Sequence, residues 1–315
     1  MVNLILSLNV VLPLAIILCV GIIVKKVGIL NEAGVSQINK LTFRVFLSTN
    51  LFINIYSMDR KNLFNNDNIY TIVYAVVWIL VLIIVPMLIL RKRTKNREAY
   101  PVIVQAIYRS NLVLFGLPVC QLLYPDENLS MIYLAIAIIV PLFNISAVII
   151  FQDYKGVGVS FGRILFNVLK NPLVVGAILG FVFWSFRIPL PVPVHSALTS
   201  MAKVATPLAF VVLGASIRFG SFLGRLGRIL LLSLCRLVAV PAMVILPAIL
   251  LGMKGLSLVT LMSIFASPAA VSSFTMAKEE GADEQLAAGV VAATTILSIA
   301  TVFTWIFVLK NLKLI

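Results

Sequence analysis

The sequence predicts an all-α polytopic membrane protein: ten transmembrane helices forming two inverted five-helix repeats, with broken, crossing helices at the fourth and ninth positions. Three observations carry this. Of 315 residues, 61% are hydrophobic and only 11% charged, with a mean hydropathy of +1.11, which leaves too little polar surface to cover a water-soluble globule. The apolar residues fall into about ten blocks of roughly twenty, each able to cross a hydrocarbon core of about 30 Å as a helix, where barrel strands would give short alternating runs. The fourth and ninth blocks are each interrupted by small polar residues followed by a proline.

The blocks run from Leu6 to Val24, Val35 to Tyr56, Ile69 to Leu90, Pro101 to Leu123, Met131 to Phe151, Asn167 to Phe186, Val194 to Ser216, Ile229 to Leu251, Leu256 to Ala277 and Gln285 to Leu309. This divides the chain into a first repeat over 1–152, a cytoplasmic linker over 153–166 and a second repeat over 167–315. Almost nothing lies outside the blocks, so a sizeable soluble catalytic or sensor domain is excluded. An even number of spans puts both termini on one side. Connections on the other side hold fifteen lysines and arginines, among them Lys25, Arg91, Lys155 and Lys278, against six on the side of the termini. The positive-inside rule therefore places both termini outside a cell (plasma) membrane. The formal charge of +14 is spread over these short loops, not gathered on an aromatic-studded face, so nucleic acid is not a partner. Cys19, Cys120 and Cys235 all lie in apolar segments without a CxxC pair, and read as small core residues.

Four of the 25 basic residues lie deeper in the blocks: Arg44, Arg109, Lys203 and Arg236. None of the 11 acidic residues does. A cation at mid-bilayer costs roughly 2.5 to 3.5 kcal/mol even on insertion scales, so each must pair, snorkel or face a wet cavity. Arg44 is one turn beyond Lys40 and within snorkelling reach, and Arg236 is ambiguous by depth. Arg109 and Lys203 lie near mid-span, where an anionic cargo supplies the missing partner; the competing reading is that they only bond carbonyls and helix ends.

The fourth block reads Arg109-Ser110-Asn111, then Gly116-Leu117-Pro118; the ninth reads Ser263 to Ser267-Pro268, then Ser272 and Ser273. Proline removes a donor and clashes with the preceding turn, so both helices are expected to break. Broken backbone at membrane depth survives only where protein buries it or it lines a cavity, and half-helix N-termini offer free N–H groups and a positive dipole end to an anion. Positions four and nine are equivalent in two halves of five, and five being odd, the second half is inverted. This is the arrangement of a secondary carrier with a midplane site. The expected substrate-binding residues are Asn111, Gly116, Pro118, Ser267, Pro268, Arg109 and Lys203. Asn50 and Asn144 are candidates for the cavity as much as for packing, whereas Thr294, Thr295, Ser298 and Thr301 suit helix packing better.

Several runs resemble the auxin efflux carrier family: Ile38 to Leu47, Asn111 to Gly116-Leu117-Pro118, Pro207-Leu208-Ala209 to Leu213-Gly214-Ala215-Ser216, Ala266-Ser267-Pro268-Ala269, and Val290 to Thr301. The likeness covers nearly the whole chain in order, and the short internal loop looks like that of compact bacterial members. It implies ten helices in two inverted repeats with crossed broken helices, and transport of organic anions such as auxin, malonate or malate. Ser48 stands where the family's second helix usually carries proline.

The resulting expectation is a secondary transporter for a small carboxylate or dicarboxylate, working by alternating access, with the bilayer and the anion as partners and a homodimer left open. No cofactor or metal is expected, since no His, Cys, Asp or Glu cluster lies in the blocks. A membrane-embedded enzyme is the first alternative, but the single histidine, His195, sits among Pro189, Pro191 and Pro193 at an outer loop, with no serine elbow read in the chain. No P-loop spacing is present either. The second alternative, a transporter-like receptor, lacks a signalling appendage.

Overall fold

A computed structural model describes residues 2–57, 65–94, 96–124, 129–156, 166, 169–216 and 223–315. Arg60, Lys61, Lys95, Arg163 and Arg218 of the charge count, and most of the linker 153–166, lie outside the described residues. The described residues are all-helical, and their only extended pairing is an isolated bridge between Ser110 and Ala269. In chain order, α1 is Val2–Lys26. Helices α2, Glu32–Leu41, and α3, Leu47–Tyr56, run on through a π-helical turn over Thr42–Phe46. Next come α4, Asn66–Arg93, and α5, Ala99–Tyr108, after which a break and a π-turn at Leu112–Gly116 lead into α6, Leu117–Leu123.

Helix α7 is Ser130–Tyr154, α8 Pro172–Ser185 and α9 Val192–Ser216. Helices α10, Leu226–Leu234, and α11, Val240–Leu250, are joined by a π-turn over Cys235–Ala239. The chain ends with α12, Leu256–Phe265, α13, Val271–Glu279, and α14, Glu284–Asn311. Among the described residues, five helical stretches are long and apolar enough to cross a bilayer unaided: Asn66–Arg91, Met131–Tyr154, Val192–Ser216, Leu226–Leu250 and Glu284–Asn311. Shorter apolar helices, α5, α8 and α12, accompany them.

Local chemistry sets the helix ends. The side chains of Asn31, Asn65, Asn171 and Asp283 accept N–H groups of the turns that follow them, starting α2, α4, α8 and α14. Gly252 and Gly281, with φ of 82° and 71°, provide the left-handed step after α11 and α13 that a side chain would resist. Helix α4 shows why the surroundings are lipid: Ile69, Val73, Val77, Leu80, Ile84 and Leu88, three or four residues apart, are exposed along one face where a soluble protein would place charge.

Close backbone approach holds the helices together, as expected where hydrophobic burial cannot drive association. Gly214 of α9 lies against Leu18 of α1, and Gly21 of α1 against Val211 of α9; a Cβ on either would stand 2.1 Å from a carbonyl oxygen. In the same manner Gly176 and Gly180 of α8 lie against Ser48 and Phe52 of α3. Ion pairs gather at one end of the bundle: Arg91 with Asp153, Lys155 with Glu280 and Arg225 with Asp283. That end is the one with the excess of basic loop residues.

One expectation is corrected. The fourth span breaks at Arg109–Asn111, not at Gly116–Pro118, where the π-turn over Leu112–Gly116 runs on into α6 and carries the helix through the proline.

Gly214→Ala is expected to lower stability by about 1–3 kcal/mol, since the α1–α9 contact has no room for a methyl group. Gly227→Ala in α10, where an added Cβ meets nothing within 4 Å, is the control. Thermal unfolding in detergent, with a loss in the first variant and none in the second, checks this.

Candidate functional site

The two broken helices cross at their breaks. Asn111 N donates to Pro268 O at 2.8 Å and Ala270 N donates to Arg109 O at 3.2 Å, so Ser110 and Ala269 face each other as a one-rung antiparallel ladder. Proline serves here as an acceptor only, which its ring allows. Two further helices pin the breaks. Thr294 Oγ1 on α14 accepts Ala269 N at 3.1 Å, and Asn144 Oδ1 on α7 accepts from Arg109 Nη2. Gly116 makes the crossing possible lower down: a Cβ there would stand 2.6 Å from the Ser263 carbonyl oxygen of α12.

Arg109 is 2% exposed. Its Nη1 donates to Gln105 Oε1 at 3.0 Å and meets Met276 Sδ of α13 at 2.9 Å. Two amides, of Gln105 and Asn144, and a thioether orient this guanidinium without cancelling its charge. It lines a cavity of about 60 Å³ at the crossing, together with Asn50, Ser110, Asn111, Asn144, Ala270 and Ser272, closed by apolar residues including Leu47 and Phe143. Among the described residues, no Asp or Glu lines this cavity. Asn111, 5% exposed, keeps its Nδ2 without a partner, as does Ser110 its Oγ. Buried polar atoms are nearly always paired, so an unpaired amide donor on a cavity wall marks a place for an acceptor. The starts of the π-turn at Leu112 and of α13 at Val271 have no side-chain cap, and Leu112, Val113, Ala270 and Ser272 bring both to the same cavity.

A second, wider cavity of about 550 Å³ is lined by Phe43, Arg44, Val148, Phe151, Lys155, Lys170, Asn171, Glu279 and Glu280 among others. The same elements wall both spaces: Asn144 and Val148 are one turn apart on α7, and Leu173 follows Asn171 and Pro172 at the start of α8. The wider space thus leads from the ion-paired end of the bundle toward the crossing.

Of the residues expected from sequence, Arg109, Asn111, Asn144 and Asn50 come together in the cavity. Asn50 is also engaged structurally, its Nδ2 donating to Ala202 O at 3.1 Å and its Oδ1 accepting from Asn54. Ser267 and Pro268 shape the crossing through their backbone and do not line the cavity. Gly116 is packed against α12, and Pro118 lies within α6. Lys203 is exposed on α9 and does not join the site: counting residues along a helix gives depth but not facing. Thr294, Thr295, Ser298 and Thr301 return their hydroxyls to backbone carbonyls of α14, as packing residues do. Sequence reasoning missed Ser110 and Ser272 as lining residues, although each adjoins a break. Gly158-Val159-Ser160-Phe161-Gly162 has the spelling of a serine elbow, contrary to the expectation that none occurs; it lies outside the described residues. No strand among the described residues leads into an elbow, and His195 is near the ring of Tyr56, 6.0 Å between centroids.

Residues 160–306 match the family described as membrane transport protein, which is that of the auxin efflux carriers. The second half of the chain carries that family's pattern. Over 320 aligned residues, 96% of this chain and 99% of the relative, the protein is also 25% identical to an uncharacterized transporter of Methanocaldococcus jannaschii. Both likenesses are to membrane transport proteins, and the matched residues hold the second broken helix of the crossing, the first lying before them.

Thr294→Val removes the acceptor of the Ala269 amide without changing shape. It is expected to cost about 1–3 kcal/mol by leaving that buried donor unpaired. Thr294→Ser should retain most of the stability, and thermal unfolding of the two variants checks the difference.

Proposed function

We propose that the protein is a secondary transporter of small organic anions, carboxylates or dicarboxylates, which bind at the crossing and move by alternating access. In this reading α1 to α7 form five spans and α8 to α14 five more, related by inversion. The pairing of contacts supports it: α1 packs on α9 as α8 packs on α3, and α7 pins one break as α14 pins the other. The ion-paired end faces the cytoplasm of a plasma membrane, so the wider cavity is an inward-facing approach to the site.

The observation that carries the proposal is the cavity's set of groups. Arg109, the unpartnered Asn111 amide and two uncapped half-helix starts all present positive charge or N–H donors, and no carboxylate among the described residues opposes them. Such a space attracts an anion and repels a cation. About 60 Å³ is several times what one water requires and suits a carboxylate head, with the remainder of the substrate directed to the wider cavity.

A thermal-shift screen of small carboxylates against size-matched amines, followed by uptake of the best binder into proteoliposomes, tests this. Carboxylates alone should stabilise the protein. Asn111→Ala should weaken the best binder roughly ten-fold or more, as loss of a hydrogen bond to a charged group does, while Lys203→Gln leaves affinity unchanged. Stabilisation by amines, or full affinity in Asn111→Ala, would contradict the proposal.

A further inference from the structure

A second buried guanidinium sits at the same crossing and does a different job. The π-turn Cys235–Ala239 carries Arg236, which is 0% exposed. Its Nε donates to Ser267 O at 3.0 Å, its Nη1 to Ile107 O at 2.8 Å and its Nη2 to Ile264 O at 2.9 Å. Ile107 lies in the last turn of α5 and Ile264 in the last turn of α12, while Ser267 belongs to the break that follows α12. One side chain from a third helix therefore holds carbonyls from the C-terminal ends of both broken helices.

Those carbonyls are what a helix leaves without partners, and they form the negative end of its dipole. In carriers with broken helices, unwound carbonyls and half-helix C-termini are the groups that coordinate a coupled sodium ion or proton. Here they face a fixed positive charge, delivered by a planar fork whose donors point in separate directions. Arg236 is not among the residues that line the cavity, whereas Arg109 is. The turn that carries it is itself anchored, since Trp305 Nε1 of α14 donates to Leu237 O at 3.1 Å.

We infer that Arg236 is a resident cation: its guanidinium fills the carbonyl cage formed by the ends of α5 and α12, in the place where a coupled sodium ion would be held, so the anion moves without sodium. The clause on transport rests on the carrier reading above; the cage does not.

The test uses the purified full-length protein in detergent, with thermal unfolding measured in matched sodium chloride and choline chloride. The wild type should unfold at the same temperature in both. Arg236→Ala should unfold at lower temperature in choline, and ethylguanidinium chloride at millimolar concentration should recover at least about half of the loss, by binding the emptied cage in the folded state only. Arg236→Lys, which keeps a cation, should be more stable than Arg236→Gln, which keeps hydrogen-bond donors alone. Stabilisation of the wild type by sodium over choline would overturn the inference. So would an Arg236→Ala protein that loses no stability or gains nothing from ethylguanidinium; if that variant does not fold, equal stability of the Lys and Gln variants would overturn it. A wild type that shows no carboxylate shift would retire the carrier reading, leaving the sodium and ethylguanidinium results to decide the cage.

Discussion

Where a helix breaks inside an apolar bundle, each freed backbone group must find a partner within the protein, because no solvent is present to supply one. Much of the centre of this molecule answers that constraint. The two breaks share two hydrogen bonds, each giving the other an acceptor and a donor. Thr294 takes the Ala269 amide, Asn111 O receives both Phe115 N and Gly116 N, and Arg236 takes the remaining carbonyls named above. The surrounding elements are placed to make this possible: α7 and α14 bring the side chains that hold the breaks, and the π-turn between α10 and α11 turns Arg236 toward them. π-turns recur at such places because an added residue re-aims a side chain without ending the helix.

The satisfaction is unequal at the two ends of the half-helices. The C-terminal ends, which are negative, are met by Arg236, whose guanidinium spans the carbonyls of α5 and α12. The N-terminal ends, which are positive, receive no side-chain cap and open to the cavity. Helix dipoles act within about one turn and are strongest away from water, so this asymmetry concentrates positive potential in one small volume. The crossing is fixed by bonds between the backbone groups of the two breaks, which leaves the amide of Asn111 and the hydroxyl of Ser110 free. A carrier that holds its cargo this way presents preformed donors to the anion and spends little on reorganisation.

Much of this was legible in the sequence for physical reasons. Twenty-residue apolar blocks have few alternatives in a chain with so little charge, and Pro268 stops its helix because a proline there meets no first-turn position. Pro118 misled because the chain had already opened at Arg109 to Asn111, and the π-turn over Leu112–Gly116 carries the new helix through the proline. Arg236 was undecided by depth alone, because its role depends on three carbonyls more than twenty-five residues away in sequence. Lys203 failed because spacing says how deep a residue lies and not which way it faces. Asn144 was recognisable only as a polar residue in an apolar helix, and its link to Arg109 is a matter of how α7 packs.

The central claim is that a carboxylate is held at the crossing by Arg109, the Asn111 amide and the two open half-helix starts. The most direct measurement is anomalous diffraction from crystals soaked in a small brominated carboxylate. The account predicts a bromine peak in or at the mouth of the cavity bounded by Asn111, Ser272 and Asn144, with the carboxylate turned toward Arg109. An ordered peak confined to the wider space beside Arg44 and Lys170, with none at the crossing, would contradict it.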